Sequence, residues 1–401
     1  MDRVRADLVL VGGGGAAVCV LHRLALRRLD DVARGTRPRA RVRVAVVDPL
    51  DRLATAPDDR TWAFWERGHR PTPLAQVVDR TYSSLLVAGP GRSVDVDLAP
   101  AHRYHVLRSS TFYRHVRDLV ADPRAGIDLV HVGGKGTAVT EDAGAVTVRG
   151  DGVAVEAPWA LTSVVRPDAL AGGTTLWQHF RGVEVRTAQP AFDPDRAVLM
   201  DLRARQPRQG TGFGYVLPLG RRRALVEYTV FAPGARPSGT ELGAGLDAYL
   251  AASGLADAEV LRDEEGSIPM SSARFRVREG RSRVVRIGTA GGATRASTGY
   301  TFAAMQRQAD DVARALGRGL PPVPPPAYPS RHRLLDDVLL RGLSSGAIDG
   351  TEFFPLLFER NPPGLVLDFL DGLTTRRQEL RLMASVPTLP MVRAVLSPSG
   401  G

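Results

Sequence analysis

Cysteine is almost missing from this chain. Cys19 stands alone among 401 residues, which excludes an intramolecular disulfide and any Cys-rich zinc or iron–sulfur site and suits a reducing compartment. Lysine is as scarce, since Lys135 is the single lysine among 53 basic residues and arginine supplies nearly all of a formal charge of +10. So uniform a choice reads as coding bias, and it lowers what any one arginine says about function. Aromatics make up 6% of the residues, and no basic cluster is interleaved with them as a nucleic-acid groove requires. Long apolar runs are missing too. The longest uncharged stretch near the start, 8–21, contains four consecutive glycines and is too short and too flexible to span a bilayer. Asp2 and Asp7 spoil the basic opening of a signal peptide. A cytoplasmic protein is expected, and an anionic membrane surface is the better use of the positive charge. The eight histidines show no metal-binding spacing and no Gly-x-Ser-x-Gly elbow occurs, so no metal site is expected and hydrolase chemistry loses ground.

What the chain does have is 43% hydrophobic and 24% charged residues, enough to bury the cores of two or three domains. Residues 6–11 form a short apolar run that ends in the glycines, and from Ala16 the apolar residues recur at helical spacing. Residues 42–47 read as a second buried strand, closed by Asp48. This is a βαβ unit. Gly12, Gly14 and Ala17 fit the spacing of a dinucleotide-binding turn, with Asp48 placed to bind a ribose hydroxyl. Asp48 lies 36 residues after Gly12, so the basic loop between them is an insertion. The alternative is a surface loop with no ligand.

From about 165 to 280 the pattern changes to alternating runs, 181–185, 197–202, 214–219 and 224–231, which predict an antiparallel sheet. A further buried strand at 284–288 leads into Gly291-Gly292 and a helix over 298–316. The prolines of 321–329 end that pattern, and the last 70 residues are mostly helical and apolar. Glu227 sits within the run 224–231. Side chains alternate along a strand, so it shares one face with Leu225, Thr229 and Phe231, while Ala224, Val226, Tyr228 and Val230 line the other. Both faces are apolar, which places the carboxyl in a low-dielectric space where it stays protonated and can donate a proton at neutral pH. An ion pair with an arginine of the turn 221–223 is the other reading. The cluster Thr61-Trp62-Ala63-Phe64-Trp65 is either an aromatic pocket wall or core packing.

These residues together resemble the flavoprotein type of bacterial lycopene cyclase. The likeness rests on the opening Asp7-Leu8-Val9-Leu10-Val11-Gly12-Gly13-Gly14, on Thr61–Trp65, Trp177-Gln178-His179-Phe180 and Leu199-Met200-Asp201. It continues through Tyr215–Leu219, Ala224–Thr229, Ile268-Pro269-Met270 and the run Gly291 to Phe302. The resemblance implies an α/β fold: a Rossmann-like, glutathione-reductase-like FAD-binding domain with an inserted antiparallel β-sheet substrate domain and a helical C-terminal region. Residues 1–75, 100–165 and 282–330 form the discontinuous FAD domain, 76–99 and 166–281 the substrate domain, and 331–401 the helical region. It further implies FAD contacts at Gly12, Gly14, Ala17, Asp48, Gly291, Gly292, Thr298 and Gly299, a substrate pocket with Trp62, Phe64, Tyr215 and Phe231, and Glu227 as catalytic acid. Asp201 and Glu184 are the next candidates for the acid.

The implied activity is the non-redox, acid-catalysed cyclisation of the acyclic ends of lycopene to β-ionone rings. It uses reduced FAD, with NAD(P)H as reductant, at a membrane surface that holds the carotenoid. The segments 334–343, 364–373 and 380–396, apolar and arginine-bearing, are either interfacial helices or a bundle that caps the substrate domain. Two departures from the family pattern are Val164-Val165 before Arg166-Pro167, where an aspartate and a small residue are expected, and Ala296, where proline is expected. An FAD-dependent monooxygenase or a prenyl or carotenoid reductase would share the fold but consume reductant. A non-catalytic prenyl-lipid carrier would not need Glu227.

Overall fold

In the computed structural model, which describes residues 2–36, 40–56, 59–68, 72–136, 138–142, 144–234 and 239–386, the strand Leu8–Val11 is wholly buried. It turns through the glycines into the helix Gly15–Ala33, and Val42–Val47 returns parallel beside it. Gly12 has φ +89° and a Cβ there would meet Ser163 Oγ at 2.7 Å, so conformation and space both require glycine. Three more parallel strands complete a five-stranded sheet in the order Val284–Arg286, Ala160–Thr162, Leu8–Val11, Val42–Val47, Ile127–Val132. Alternation sends Leu8 and Leu10 toward a core shared with the helices Gly15–Ala33, Ser109–Ala121 and Phe302–Gly317. Val9 and Val11 point the opposite way, onto the sheet built from Asp2–Arg5, Val153–Ala157, Ala145–Arg149 and Ala138–Asp142. Cover on both faces explains why the strands are continuous runs of Val, Leu and Ala.

The middle of the chain forms a seven-stranded sheet in the order Glu259–Ser271, Thr175–Arg186, Arg223–Pro233, Thr211–Gly220, Arg196–Asp201, Ser84–Gly89, Arg92–Asp97. Its pairings are antiparallel except for Arg196–Asp201 with Ser84–Gly89. The helix Gly239–Ala252 covers one face through Leu242, Leu246 and Tyr249, which pack on Val226, Tyr228 and Val230. The other face, with Leu225 and Phe231, meets Phe353, Phe354 and Leu357 of the C-terminal helices. Those helices are Ser330–Ser345, Gly350–Glu359, Pro363–Leu370 and Arg376–Ser385. Two expectations shift. The helix expected from residue 298 begins at Phe302, because Gly299 takes φ +73° and its N–H, with that of Thr298, bonds back to the Arg295 carbonyl in a tight turn. Of the segment 380–396, the part to Ser385 is helical and 387–396 lies outside the described residues. No helix among the described residues is long and apolar enough to cross a membrane.

Candidate active site

One cavity of about 770 Å³ touches all three regions of the chain. At one end it is lined by Gly14, Gly15 and Ala16 of the glycine turn, with Thr289 and 297–302 beside them. Its wall is the sheet face carrying Leu225, Glu227, Thr229 and Phe231, and its far end is formed by Leu339, Phe354 and Leu382 of the C-terminal helices. A mostly apolar chamber of this size, with few polar groups converging in it, has the character of a ligand site.

Glu227 is buried on that wall. Gly182 stands opposite it on the neighbouring strand and is paired on its other side with Glu264. A Cβ at Gly182 would lie 2.4 Å from Glu227 Cγ. The missing side chain therefore opens the space in which the two carboxyls meet across an intervening strand. Glu264 Oε2 accepts from Arg262 Nη1 (2.6 Å), Thr61 Oγ1 (3.0 Å) and Thr61 N (3.2 Å). Burial, then the negative charge of Glu264 and a hydrogen bond with it, hold the Glu227 carboxyl well above the usual carboxylate range; Arg262 offsets only part of this. These surroundings favour the protonated form of Glu227. Of the arginines of the turn 221–223, Arg223 pairs with Glu184 instead.

The two fallback acids are committed elsewhere. Burial pulls the Glu184 carboxyl upward, but Arg223, Arg108 and Arg262 outweigh it and hold it below its ordinary value. Asp201 is bridged to Arg203 (2.7 and 2.8 Å) and accepts from Tyr249 Oη (3.2 Å). Neither lines the cavity. Beside Glu227 on the opposite side, Tyr215 pairs in register and its hydroxyl bonds Tyr104 Oη (2.6 Å), which also bonds Tyr300 Oη (2.5 Å). Burial drives all three phenols upward, Tyr300 to about 12, so they remain neutral hydroxyls.

Among the expected cofactor contacts, Gly14, Thr298 and Gly299 line the cavity. A Cβ on Gly14 would meet nothing within 4 Å, leaving open space at the N-terminus of a 19-residue helix. Asp48 faces the same turn, where its carboxylate accepts from Gly13 N (2.7 Å) and Leu50 N (2.9 Å). Ala17 is buried on the helix, and Gly12 shapes the turn without lining the chamber. Gly291 and Gly292 also lie off the cavity, the first tight against the Arg286 carbonyl and the second at φ +74°. They fold the turn that lets Gly288 approach Ala16 and presents Thr289 to the chamber.

Trp62, Tyr215 and Phe231 line the cavity as expected of a pocket, and Phe64 does not. Phe302 packs on both Trp62 and Phe64, with ring centroids 5.2 and 5.0 Å apart. That ring shuts Phe64 into the core of the parallel-sheet unit. Trp65, one residue on and facing the other way, lines the chamber instead.

Residues 7–396 match the family described as lycopene cyclase protein. The chain belongs to the lycopene cyclase family. It is similar to the lycopene beta-cyclase of Paracoccus sp. (strain N81106 / MBIC 01143), 29% identical over 241 residues that cover 55% of this chain and 59% of that protein. The chain therefore spans less than two thirds of that relative's length. Among solved structures, a geranylgeranyl bacteriochlorophyll reductase-like protein from Thermoplasma acidophilum aligns with TM-score 0.59 and 13% identity over 98% of this chain and 96% of its own. A mutant of the halogenase PltM in complex with FAD aligns with TM-score 0.50 and 11% identity, over 90% and 78%. At such identities these neighbours share the fold: an α/β architecture with a parallel sheet and a helical C-terminal region.

Within this lycopene cyclase family member, neither of the two departures in sequence lines the chamber. Val164 is exposed beside the glycine turn, 3.8 Å from where a Gly12 Cβ would stand, while Ser163 next to it lines the cavity. Ala296 is buried in the apolar cluster under the seven-stranded sheet. Trp65 and Thr61 belong to the cluster read as a pocket wall, whereas Glu264 and the tyrosines 104 and 300 were not read as site residues. Three acidic residues in a row, Asp263-Glu264-Glu265, carry no local signal that the middle one is buried.

Proposed function

We propose that this chain is a lycopene β-cyclase, a non-redox isomerase that closes the acyclic ends of a C40 carotene. A single observation supports this most strongly: a buried carboxyl, Glu227, on the wall of an apolar chamber whose surroundings favour its protonated form. Protonation of a terminal alkene breaks the Glu227 O–H bond, forms a C–H bond and leaves a tertiary cation. The next double bond attacks that cation, and loss of a ring proton yields the new ring with no electrons exchanged. Water would capture the cation, so the chamber's apolar lining is part of the chemistry. Aromatic faces around Glu227, among them Tyr215, Phe231 and Trp65, stabilise positive charge by about 0.5 to 2 kcal/mol each.

FAD is the proposed cofactor. The glycine turn fits it, since the open direction at Gly14 and the helix N-terminus behind it suit a pyrophosphate, and Asp48 stands at the strand end where a ribose would lie. In reduced form, with NAD(P)H as reductant, FAD would supply negative charge beside the cation without being consumed. Purified protein is expected to be yellow, and Gly14→Val, which fills the pyrophosphate space, is expected to lower flavin occupancy at least about tenfold. Equal flavin release on denaturation from both proteins would remove Gly14 from the cofactor site.

A carotene dissolves only in lipid, and the helices at the far end of the chamber offer a docking face. Leu334 and Leu380 are 62% and 63% exposed, while their neighbours Leu335 and Leu382 line the cavity. Arg333, Arg377 and Arg381 are exposed on the same helices, and each basic residue near anionic lipid contributes about 1 kcal/mol. The protein is expected to float with anionic vesicles at low salt and to be released by high salt. Protein that stays in the soluble fraction at low salt would argue against docking. Expression in lycopene-accumulating cells tests the activity directly: cyclic carotene is expected, and unchanged lycopene would refute the reading. Reductant consumed in proportion to substrate would indicate a reductase or monooxygenase instead.

A further inference from the structure

Four residues stand in one row across the substrate sheet: Glu264, Gly182, Glu227 and Tyr215. The family resemblance concerns Glu227, and nothing in it speaks of Glu264. Yet the register brings the second carboxyl onto the first, with a glycine between them whose missing Cβ would otherwise strike Glu227. Glu264 is held by three donors, Arg262, Thr61 Oγ1 and Thr61 N, all on Oε2. These come from its own strand and from the strand Thr61–Arg67, which lines the same chamber. Arg262 is itself shared with Glu184 (3.2 Å) and the Asp59 carbonyl (2.9 Å). Its place is therefore determined by more than one partner. Two buried carboxyls brought together across one glycine cannot both be ionised without severe repulsion, and Glu264 is the one hydrogen-bonded to Arg262.

We infer that Glu264 is a positioning residue for Glu227: the two side chains share one proton, Glu264 holds the negative charge and accepts the hydrogen bond from the Glu227 carboxyl. The inference deepens the cyclase reading and rests on it for its catalytic meaning. In the pair, Glu264 does two things for the reaction. It keeps the proton on Glu227 at neutral pH and fixes the carboxyl's orientation on the chamber wall. Once Glu227 has given up that proton, two carboxylates face each other, so Glu227 becomes a strong base. It can then recover a proton from the cyclised cation, breaking the ring C–H bond and re-forming its own O–H. The same atom serves as donor and acceptor, and the site returns to its starting state. The cost is a weaker acid, since a higher proton affinity opposes donation. Stabilisation of the cation by the surrounding aromatic faces has to supply the remaining driving force.

The groups facing Glu227 are few. Glu264 and Arg262 come from the strand Glu259–Ser271, Tyr215 from Thr211–Gly220, Tyr104 from His102–Arg108 and Tyr300 from the turn before Phe302. The tyrosines stay neutral, so Glu264 and Arg262 are the charges that set its titration. Infrared spectroscopy of the protonated-carboxyl stretch, followed against pH, reads this without turnover. The wild type is expected to show a band that persists above pH 7 and is missing from Glu227→Gln. In Glu264→Gln, whose amide oxygen can still accept from Arg262 and Thr61, the Glu227 band should vanish at least about one pH unit lower, a tenfold fall in proton affinity. Glu264→Asp keeps the charge and should stay closer to the wild type. The high-pH limb of cyclase activity should move with the band, leaving activity at low pH the least changed. A Glu264→Gln band that titrates where the wild-type band does, in a folded protein, would overturn the inference. So would a band that survives Glu227→Gln, since the shared proton would then sit on Glu264. A wild type that forms no rings would defeat the cyclase reading and leave the infrared result standing.

Discussion

Glu227→Gln is expected to stop ring formation, with a loss on the order of a thousandfold or more, while the folded protein still takes up flavin and carotene. Glutamine keeps the shape and the hydrogen-bonding capacity of the side chain but has no proton acidic enough for an alkene. Glu227→Asp keeps the acid and withdraws it by one methylene, and a misplacement of about 1 Å costs on the order of 100-fold. Pigment analysis after expression in lycopene-accumulating cells reads both. Near wild-type ring formation by Glu227→Gln would mean that another acid acts. Asp201 and Glu184 cannot fill that role from their ion pairs outside the chamber, so Glu264 and Asp336, which do line it, would be tested next.

The same substitution carries a stability signature of opposite sign. Glu227 binds its proton more tightly in the folded chain than in the unfolded one, so unfolding releases a proton wherever the pH lies between the two values. Stability from this group is fully present below the unfolded value of about 4.3 and declines as pH rises toward the folded one. Glu227→Gln has no such loss. It should therefore unfold at a higher temperature than the wild type at pH 8, with the gap narrowing toward pH 5. A gap that widened on acidification would show that Glu227 is ionised in the folded protein.

How far the sequence discloses this site depends on the range of the contacts involved. Strand alternation is local, so Glu227 could be assigned a face shared with Leu225, Thr229 and Phe231, and all four line the chamber. The βαβ turn is equally local, and Leu8–Val11, the helix Gly15–Ala33 and Val42–Val47 follow from it. Glu264 was invisible because its meaning comes from register. It reaches Glu227 only because the strand Thr175–Arg186 separates their strands and carries glycine at that level. Phe64 was misplaced for a related reason: strand periodicity identifies which residues share a face but not where along that face a core ends and a cavity begins. The start of the helix at Phe302 was within reach, since Gly299 at positive φ is a local signal. Its weight was lost in an otherwise helical pattern.

Arg295→Met should be the most damaging single change to stability, costing about 3–5 kcal/mol, the range for removing one partner of a buried ion pair. Arg295 is 0% exposed. Its guanidinium lies 3.1 Å from Asp336 and 2.9 Å from His332 Nδ1, and it sits over the rings of Tyr328 (5.0 Å) and Phe369 (5.5 Å). Methionine fills much of the volume but strands Asp336, whose carboxyl burial already pushes upward and Arg295 holds partly in check. His332 cannot take over the role, because burial and then Arg295 hold it down to about 4, and loss of Arg295 relieves only the smaller cause. The damage should reach beyond the pair. Arg295 belongs to the turn that presents Ser297–Phe302 to the chamber, while His332 and Asp336 belong to the helix Ser330–Ser345, which His332 ties to Glu379 (2.8 Å). The penalty should be larger at pH 8 than at pH 5, since acid lets the stranded Asp336 take a proton and shed its charge. Replacing both members, Arg295→Met with Asp336→Leu, should recover much of the lost stability, because an apolar pair leaves no buried charge behind. Urea unfolding of the three variants at both pH values decides the matter. Equal midpoints for Arg295→Met and the wild type at pH 8 would show that this buried cation does not hold the C-terminal helices to the site.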